Sequence, residues 1–332
     1  MLLLYENSRD DNKMKSLLIG NKLRINKHYS VYIVMVILLV ATYIYSPKFL
    51  SGSTIFNMLR QASALGVLTA GQLFVIIGGG VDLSVVATMQ ISIVTCVYFT
   101  NTFGVWGLIL GILISLVLAI LIGLANGVIV TKFNVQPFLV TLFMAELLTG
   151  ARMILVGVQS AGSVPSAMRY LGNDLTGPIP NAVIVFLLVV IVSYIILNKT
   201  VYGRKLVSVG TNKRAARYSG INANSTVIIS YCYCSVMAVI SGLLLAGYTG
   251  YADMWIGEGY EFTALVAAVI GGNFLGGGRG SIMGVVGGVL VTTLVLNVVL
   301  LFGLEVTFQY IFMGAIFIVA TLTGALAGRQ SQ

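Results

Sequence analysis

Two short segments carry the residue types from which chemistry or ligand binding could be built. In GGGVDLS (78–84) a carboxylate, Asp82, and a hydroxyl, Ser84, stand where a helix should begin. Oxygen acceptors there take hydrogen bonds from the unpaired N–H groups of the first turn and suit the positive end of the helix dipole. A structural cap at a tight turn is the preferred reading, ahead of direct contact with a solute. In the apolar run 138–157, which follows Gln136-Pro137, the exceptions are Thr141, Glu146, Thr149 and Arg152. An ionisable group in hydrocarbon is expensive, so each marks a pathway or a partner by default. Glu146 is central and reads as a pore or helix-interface residue, whereas Arg152 is close enough to the outer end to snorkel. Thr141, Glu146, Thr149, Asp82 and Ser84 are therefore the candidates for a translocation path.

Other chemistries find no footing. GGGRGS (276–281) looks like a phosphate-binding loop, but it lacks the Gly-Lys-Ser/Thr ending and the preceding soluble strand. ATP binding by this chain is not expected. Cys96, Cys232 and Cys234 all fall in apolar runs, and neither a disulfide nor a metal site is indicated. The single histidine, His28, precedes the first apolar run and reads as interfacial. With no convergent His, Cys or carboxylate cluster there are no candidate catalytic residues.

The elements that must position these residues are membrane helices. Of 332 residues, 58% are hydrophobic and 9% charged, too few charges to cover a water-soluble globule. Apolar runs recur at 29–46, 55–77, 84–100, 104–131, 138–157, 179–197, 226–247, 262–276, 281–302 and 307–326. Each approaches the length that crosses a ~30 Å hydrocarbon core. The expected fold is an all-α integral membrane protein of about ten transmembrane helices, some broken or re-entrant. VIIGGGVDLS (75–84) and AVIGGNFLGGGRGS (268–281) both pass from an apolar segment through glycines to a serine that opens the next run, which suggests an internal repeat. Asn126 and Asn297, mid-run amides, read as links between helices.

The net charge of +9 comes from basic residues concentrated in 9–27 and 199–217, beside apolar runs. That pattern describes membrane topology, not nucleic-acid binding. With a cytoplasmic N-terminus, most cations fall inside, while Asp174, Asp253, Glu258, Glu261 and Glu305 fall in outer loops. The expected organisation is a cytoplasmic N-terminal segment 1–28, a transmembrane domain 29–326 and a cytoplasmic tail 327–332. The first run ends in Ser46-Pro47 without a cleavage motif and reads as a retained anchor, with Met14 as an alternative start.

The longest cytoplasmic connection, 198–225, holds six cations and no acid. Topology accounts for the charge. It does not account for the punctuation by Gly203, Gly210 and Gly220, for a helix cap at Asn212, or for a short helix KRAARYS ending at Gly220. Those features argue for a small folded docking element, with the Ala215-Ala216 pair as its contact.

Taken together, GGGVDLSV (78–85), NVQPFLVTL (134–142), GRKLVSVGTNKRAARYSGIN (203–222) and FTALVAAVIGGNFLGGGRGSIMG (262–284) resemble the membrane permeases of ribose-type bacterial ABC importers. The resemblance runs from about residue 30 to 325. It implies a permease in the bacterial inner membrane, both termini cytoplasmic, that carries a sugar or similar small polar solute. It implies three partners besides lipid: a periplasmic or extracellular solute-binding protein, a cytoplasmic ABC ATPase that uses ATP and Mg, and a second permease chain, identical or different. No cofactor is implied for this chain. The coupling loop 198–225 would then work through Gly203, Arg204, Gly210, Asn212, Ala215, Ala216, Gly220 and Ile221. Departures from the family pattern are Val86 for a usual glycine, Thr149 for a usual arginine, Lys213-Arg214 where acidic residues are frequent, and Met313 where a basic residue commonly precedes the glycine. The competing readings are an ion-coupled secondary carrier, for which Glu146 is the candidate coupling carboxylate, and a permease for a nucleoside or amino acid.

Overall fold

A computed structural model describes residues 27–156, 162–253 and 255–329. The expected N-terminal segment 1–28 lies outside them except for its last two residues, which open the first helix. The helices are α1 (Lys27–Tyr45), α2 (Gly52–Ile77), α3 (Val85–Lys132), α4 (Pro137–Val156), α5 (Ser166–Gly172), α6 (Asn181–Lys199), α7 (Val201–Thr211), α8 (Lys213–Tyr218), α9 (Ala223–Thr249), α10 (Tyr260–Ile270), α11 (Ile282–Leu301) and α12 (Val306–Arg329). A 3-10 turn, Pro47–Leu50, links α1 to α2. Two pairs of two-residue strands, β1 (Gly162–Ser163) with β4 (Tyr251–Ala252) and β2 (Leu175–Thr176) with β3 (Ile179–Pro180), staple the connections. Helices prevail because a backbone surrounded by lipid must satisfy its own hydrogen bonds. By length and composition α2, α3, α4, α6, α9 and α11 can each cross a membrane.

Three boundaries depart from the sequence expectation. The runs 84–100 and 104–131 are arms of one hairpin folded at Gly104, whose φ of 62° and ψ of −142° interrupt α3. Only glycine takes that conformation without strain. Across the hairpin Ser115 Oγ donates to the Ser92 carbonyl at 3.3 Å. The run 262–276 is helical only over Tyr260–Ile270, with 271–281 irregular. Apolar composition extended the expectation past a helix end that backbone geometry sets. Finally, the tail expected at 327–332 begins within α12, and 330–332 lie outside the described residues.

The helix end in α10 has a counterpart in α2. After α2, Gly79 N–H donates to the Ile76 carbonyl and Gly80 N–H to that of Val75. After α10, Gly272 N–H donates to Val269 and Asn273 N–H to Ala268, the same two-bond closure. Gly79 and Gly272 occupy the left-handed position in each, with φ of 85° and 81°. A polar side chain then braces the next helix start: Asp82 Oδ1 accepts from Ser84 N at 2.9 Å, and Asn273 Oδ1 from Ser281 N at 2.7 Å.

The core centres on α9, packed against α2 and both arms of α3. A Cβ on Gly123 would come within 2.6 Å of Cys232 Cα, and one on Gly127 within 2.7 Å of Ile228 Cα. Small residues four apart let the two backbones approach this closely. By contrast, α4 packs chiefly on α3, leaving much of its surface uncovered.

Candidate functional site

The turn between α2 and α3 is an interior polar knot. Asp82 and Ser84 are both 0% exposed. Ser84 Oγ donates to Asp82 Oδ1 at 2.6 Å and accepts from Asn126 Nδ2 at 2.9 Å, joining the start of α3 to its returning arm. Tyr231 of α9 donates its hydroxyl to the Val81 carbonyl at 3.3 Å. From α2, the Gln72 carboxamide, oriented to satisfy both of its ends, accepts from Asp82 N at 3.1 Å and donates to Asp82 O at 3.3 Å. Four helical stretches thus meet at the Val81–Ser84 reversal, where side chains supply partners to backbone groups that no helix or strand pairs. Asp82 Oδ2 and Asn126 Oδ1 keep unused acceptor capacity among the described residues.

Helix α4 presents its polar residues in three directions. Thr141 is buried and its hydroxyl donates to the Pro137 carbonyl at 3.0 Å, within its own first turn. Glu146 is exposed, on a face shared with Phe143, Leu147 and Ile154. At 100° per residue Thr141 and Glu146 point about 140° apart, so one surface does not present both. Thr149 is half-buried.

Arg152 corrects the snorkelling expectation: it is only 2% exposed and turns inward. Its Nη1 donates to Gln90 Oε1, and its guanidinium lies 5.9 Å from the ring centroid of Trp255. Gln90 Nε2 in turn donates to the Ile256 carbonyl at 3.0 Å, and Asp253 Oδ1 accepts from Trp255 N at 2.7 Å. This arrangement ties Trp255 and Ile256 to α3 and α4. Spacing along 138–157 could not disclose it, since Gln90 and Trp255 are remote in sequence. Of the mid-helix amides, Asn297 links α11 to α2 through Gln61 Oε1 at 3.0 Å.

The segment 198–225 is folded, mostly as α7 and α8. Asn212 caps α8, with Oδ1 accepting from Arg214 N and Ala215 N, both at 3.0 Å. Gly220 follows in the left-handed region at φ 78°, while Ile221 N–H closes back on the Ala216 carbonyl. Gly203 packs so close to the end of α6 that a Cβ would strike the Leu197 carbonyl, and Arg204 is exposed. The alanine pair is corrected: Ala216 is 4% exposed and packs inward, and only Ala215 is on the surface. Adjacent residues on a helix point about 100° apart, so both could not face one partner squarely.

Gly210 reveals a junction absent from the sequence reading. A Cβ there would collide with the Ile77 carbonyl and with Gly278 N. Gly278 N–H donates to that same Ile77 carbonyl at 2.9 Å, and a Cβ on Gly277 would be 3.0 Å from Gly210 O and Gly79 Cα. The end of α7 therefore touches, backbone to backbone, both glycine turns. The three glycine clusters were the available signal, but only the fold brings them together. Beside this junction a cavity of about 250 Å³ is bounded by Gly79, Asn134, Gln136, Lys213 and Tyr231.

Comparison with known proteins places these features in a family. A family model described as "Branched-chain amino acid transport system / permease component" matches residues 54–321. The ribose import permease protein of Bacillus subtilis is 30% identical over 299 residues, covering 86% of this chain and 89% of that one. The ribose import permease protein of Escherichia coli K12 is 31% identical over 297 residues, covering 87% and 91%. The fructose import permease protein of Rhizobium meliloti is 31% identical over 299 residues, covering 87% and 82%. No solved structure matches. The matched region takes in the interior turn, α4 and the α7–α8 element, and over it this chain belongs to the family of multi-pass ABC importer permease components.

Proposed function

We propose that this chain is the permease subunit of an ABC importer and, with a second permease chain, forms the path for a sugar or similar small polar solute across the bacterial inner membrane. The observation that supports the reading is the junction at Gly210, where the folded α7–α8 element meets both glycine turns. Force applied to α7 and α8 would pass directly to the α2–α3 and α10–α11 reversals. The two reversals are the counterparts of an internal repeat, with Ile77-Gly78-Gly79 matching Ile270-Gly271-Gly272.

In this reading both termini and 198–225 are cytoplasmic. ATP and Mg are used by a separate ATPase docked on that segment, and a solute-binding protein delivers from outside. This chain hydrolyses no ATP itself. Glu146 and Thr149 on α4 belong to the path or to the second chain's interface, whereas Asp82 and Ser84 hold the reversal that α4's neighbour pivots on. The uncovered α4 face supports this, because a carboxylate in lipid has no comparable compensation. Relatives named for ribose and fructose support a sugar as the solute.

The test is uptake into proteoliposomes holding the permease, its ATPase and its binding protein, with ribose, fructose and galactose offered in turn. ATP-dependent uptake is expected. Uptake driven by a proton or sodium gradient without ATP would overturn the reading.

A further inference from the structure

The docking element carries one residue that neither topology nor helix packing explains. Tyr218, the last residue of α8, is 93% exposed, more than Ile154 on the uncovered α4 face at 87%. Positive-inside asymmetry calls for cations and has no use for an aromatic ring in water. Its direction follows from the buried side of α8. Ala216 packs inward, and at 100° per residue Arg214 and Tyr218 both lie about 160° from it. Four residues apart, they form one adjoining pair on the face turned away from the permease body. Arg214 is exposed, while Arg217, on the flank, is held by Asn224 Oδ1 at 2.9 Å.

Resting on the proposed docking of an ATPase at this segment, we infer that Arg214 and Tyr218 are its anchor. The partner surface they fit is an apolar pocket for the tyrosine ring, rimmed by carboxylates. Tyrosine and arginine dominate protein interface hot spots because each buries a large rigid surface while keeping a polar end. The charge of the rim follows from 198–225, which has six cations and no acid with which to pair internally. A cytosolic protein is favoured over lipid headgroups as the occupant because the pair faces opposite to Ala216, which packs onto the membrane-embedded body. Selection of one ATPase among several would follow from this charge pattern.

The experiment measures binding of the importer's ATPase subunit to the full-length permease in nanodiscs of zwitterionic lipid, repeated in anionic lipid. Tyr218→Ala should weaken binding about thirty-fold, the threshold loss of a hot spot, and Tyr218→Phe only a few-fold. Arg214→Glu should weaken binding about ten-fold or more at low salt and reduce its salt dependence. Ala215→Trp, beside the pair, separates the outcomes. If it abolishes binding while Tyr218→Ala and Arg214→Glu bind normally, the segment docks but the anchor is wrong. If all three bind normally, the docking reading itself falls. A Tyr218 effect confined to anionic lipid would assign the ring to headgroups and overturn the proposal.

Discussion

Replacing Gly210 with alanine tests whether the junction transmits force. The added Cβ would lie against two backbone groups: it would overlap the Ile77 carbonyl, standing 3.0 Å from its carbon, and stand 2.5 Å from Gly278 N. Backbone cannot rotate aside as a side chain can, so α7 must withdraw by roughly 2 Å to restore contact near 3.5 Å with the Ile77 carbonyl oxygen. Overpacking of this kind costs roughly 1–3 kcal/mol. The Ile77–Gly278 hydrogen bond, 2.9 Å long, lies in the direct line of the intrusion. Its loss adds about 0.5–1.5 kcal/mol. A penalty of roughly 1.5–4.5 kcal/mol is below the ~5–15 kcal/mol that holds a native domain together, so the variant should insert and fold. Its coupling should fail, because α7 no longer bears on both turns. The assay compares solute-stimulated ATP hydrolysis and uptake in the reconstituted importer, normalised to permease in the membrane. Gly52→Ala is the control, since a Cβ there meets nothing within 4 Å. Wild-type coupling in Gly210→Ala at normal abundance would refute the reasoning.

Three further outcomes are expected. In a background without Cys96, Cys232 and Cys234, a cysteine at position 212 should react with an impermeant reagent only from the cytoplasmic side, and labelling from outside intact cells would reverse the topology. Asp82→Ala and Asn126→Ala should each lower thermal stability by about 1–3 kcal/mol, yet the double variant should lose less than the sum, because both act through the Ser84 hydroxyl; strict additivity in thermal unfolding would break the shared network. Glu146→Gln should change uptake kinetics more than expression or thermal stability, since the carboxylate is exposed; unchanged kinetics would leave it a structural role.

Much of this protein was already determined by its sequence. Apolar runs and skewed cations specify membrane helices because hydrocarbon excludes charge and unpaired backbone whatever the tertiary arrangement. The cap at Asn212 and the left-handed Gly220 were legible for a similar reason: a cap is local, decided within four residues. The bond from Ser84 N to Asp82 Oδ1 is equally local, spanning two residues. What the sequence could not decide were relations between distant segments. Nothing around residue 152 announces Gln90 or Trp255, so a guanidinium near a helix end looked free to snorkel. Ala215 and Ala216 are alike as residues, and only the packing of α8 against the body decides which is buried and hence that Arg214 and Tyr218 face outward. The end of α10 at Ile270 was hidden because apolar residues continue beyond it, and hydropathy records transfer into lipid, not backbone torsion. Gly210, one of 38 glycines, gains meaning only where three backbones converge, since a missing side chain signals close approach but never says to what.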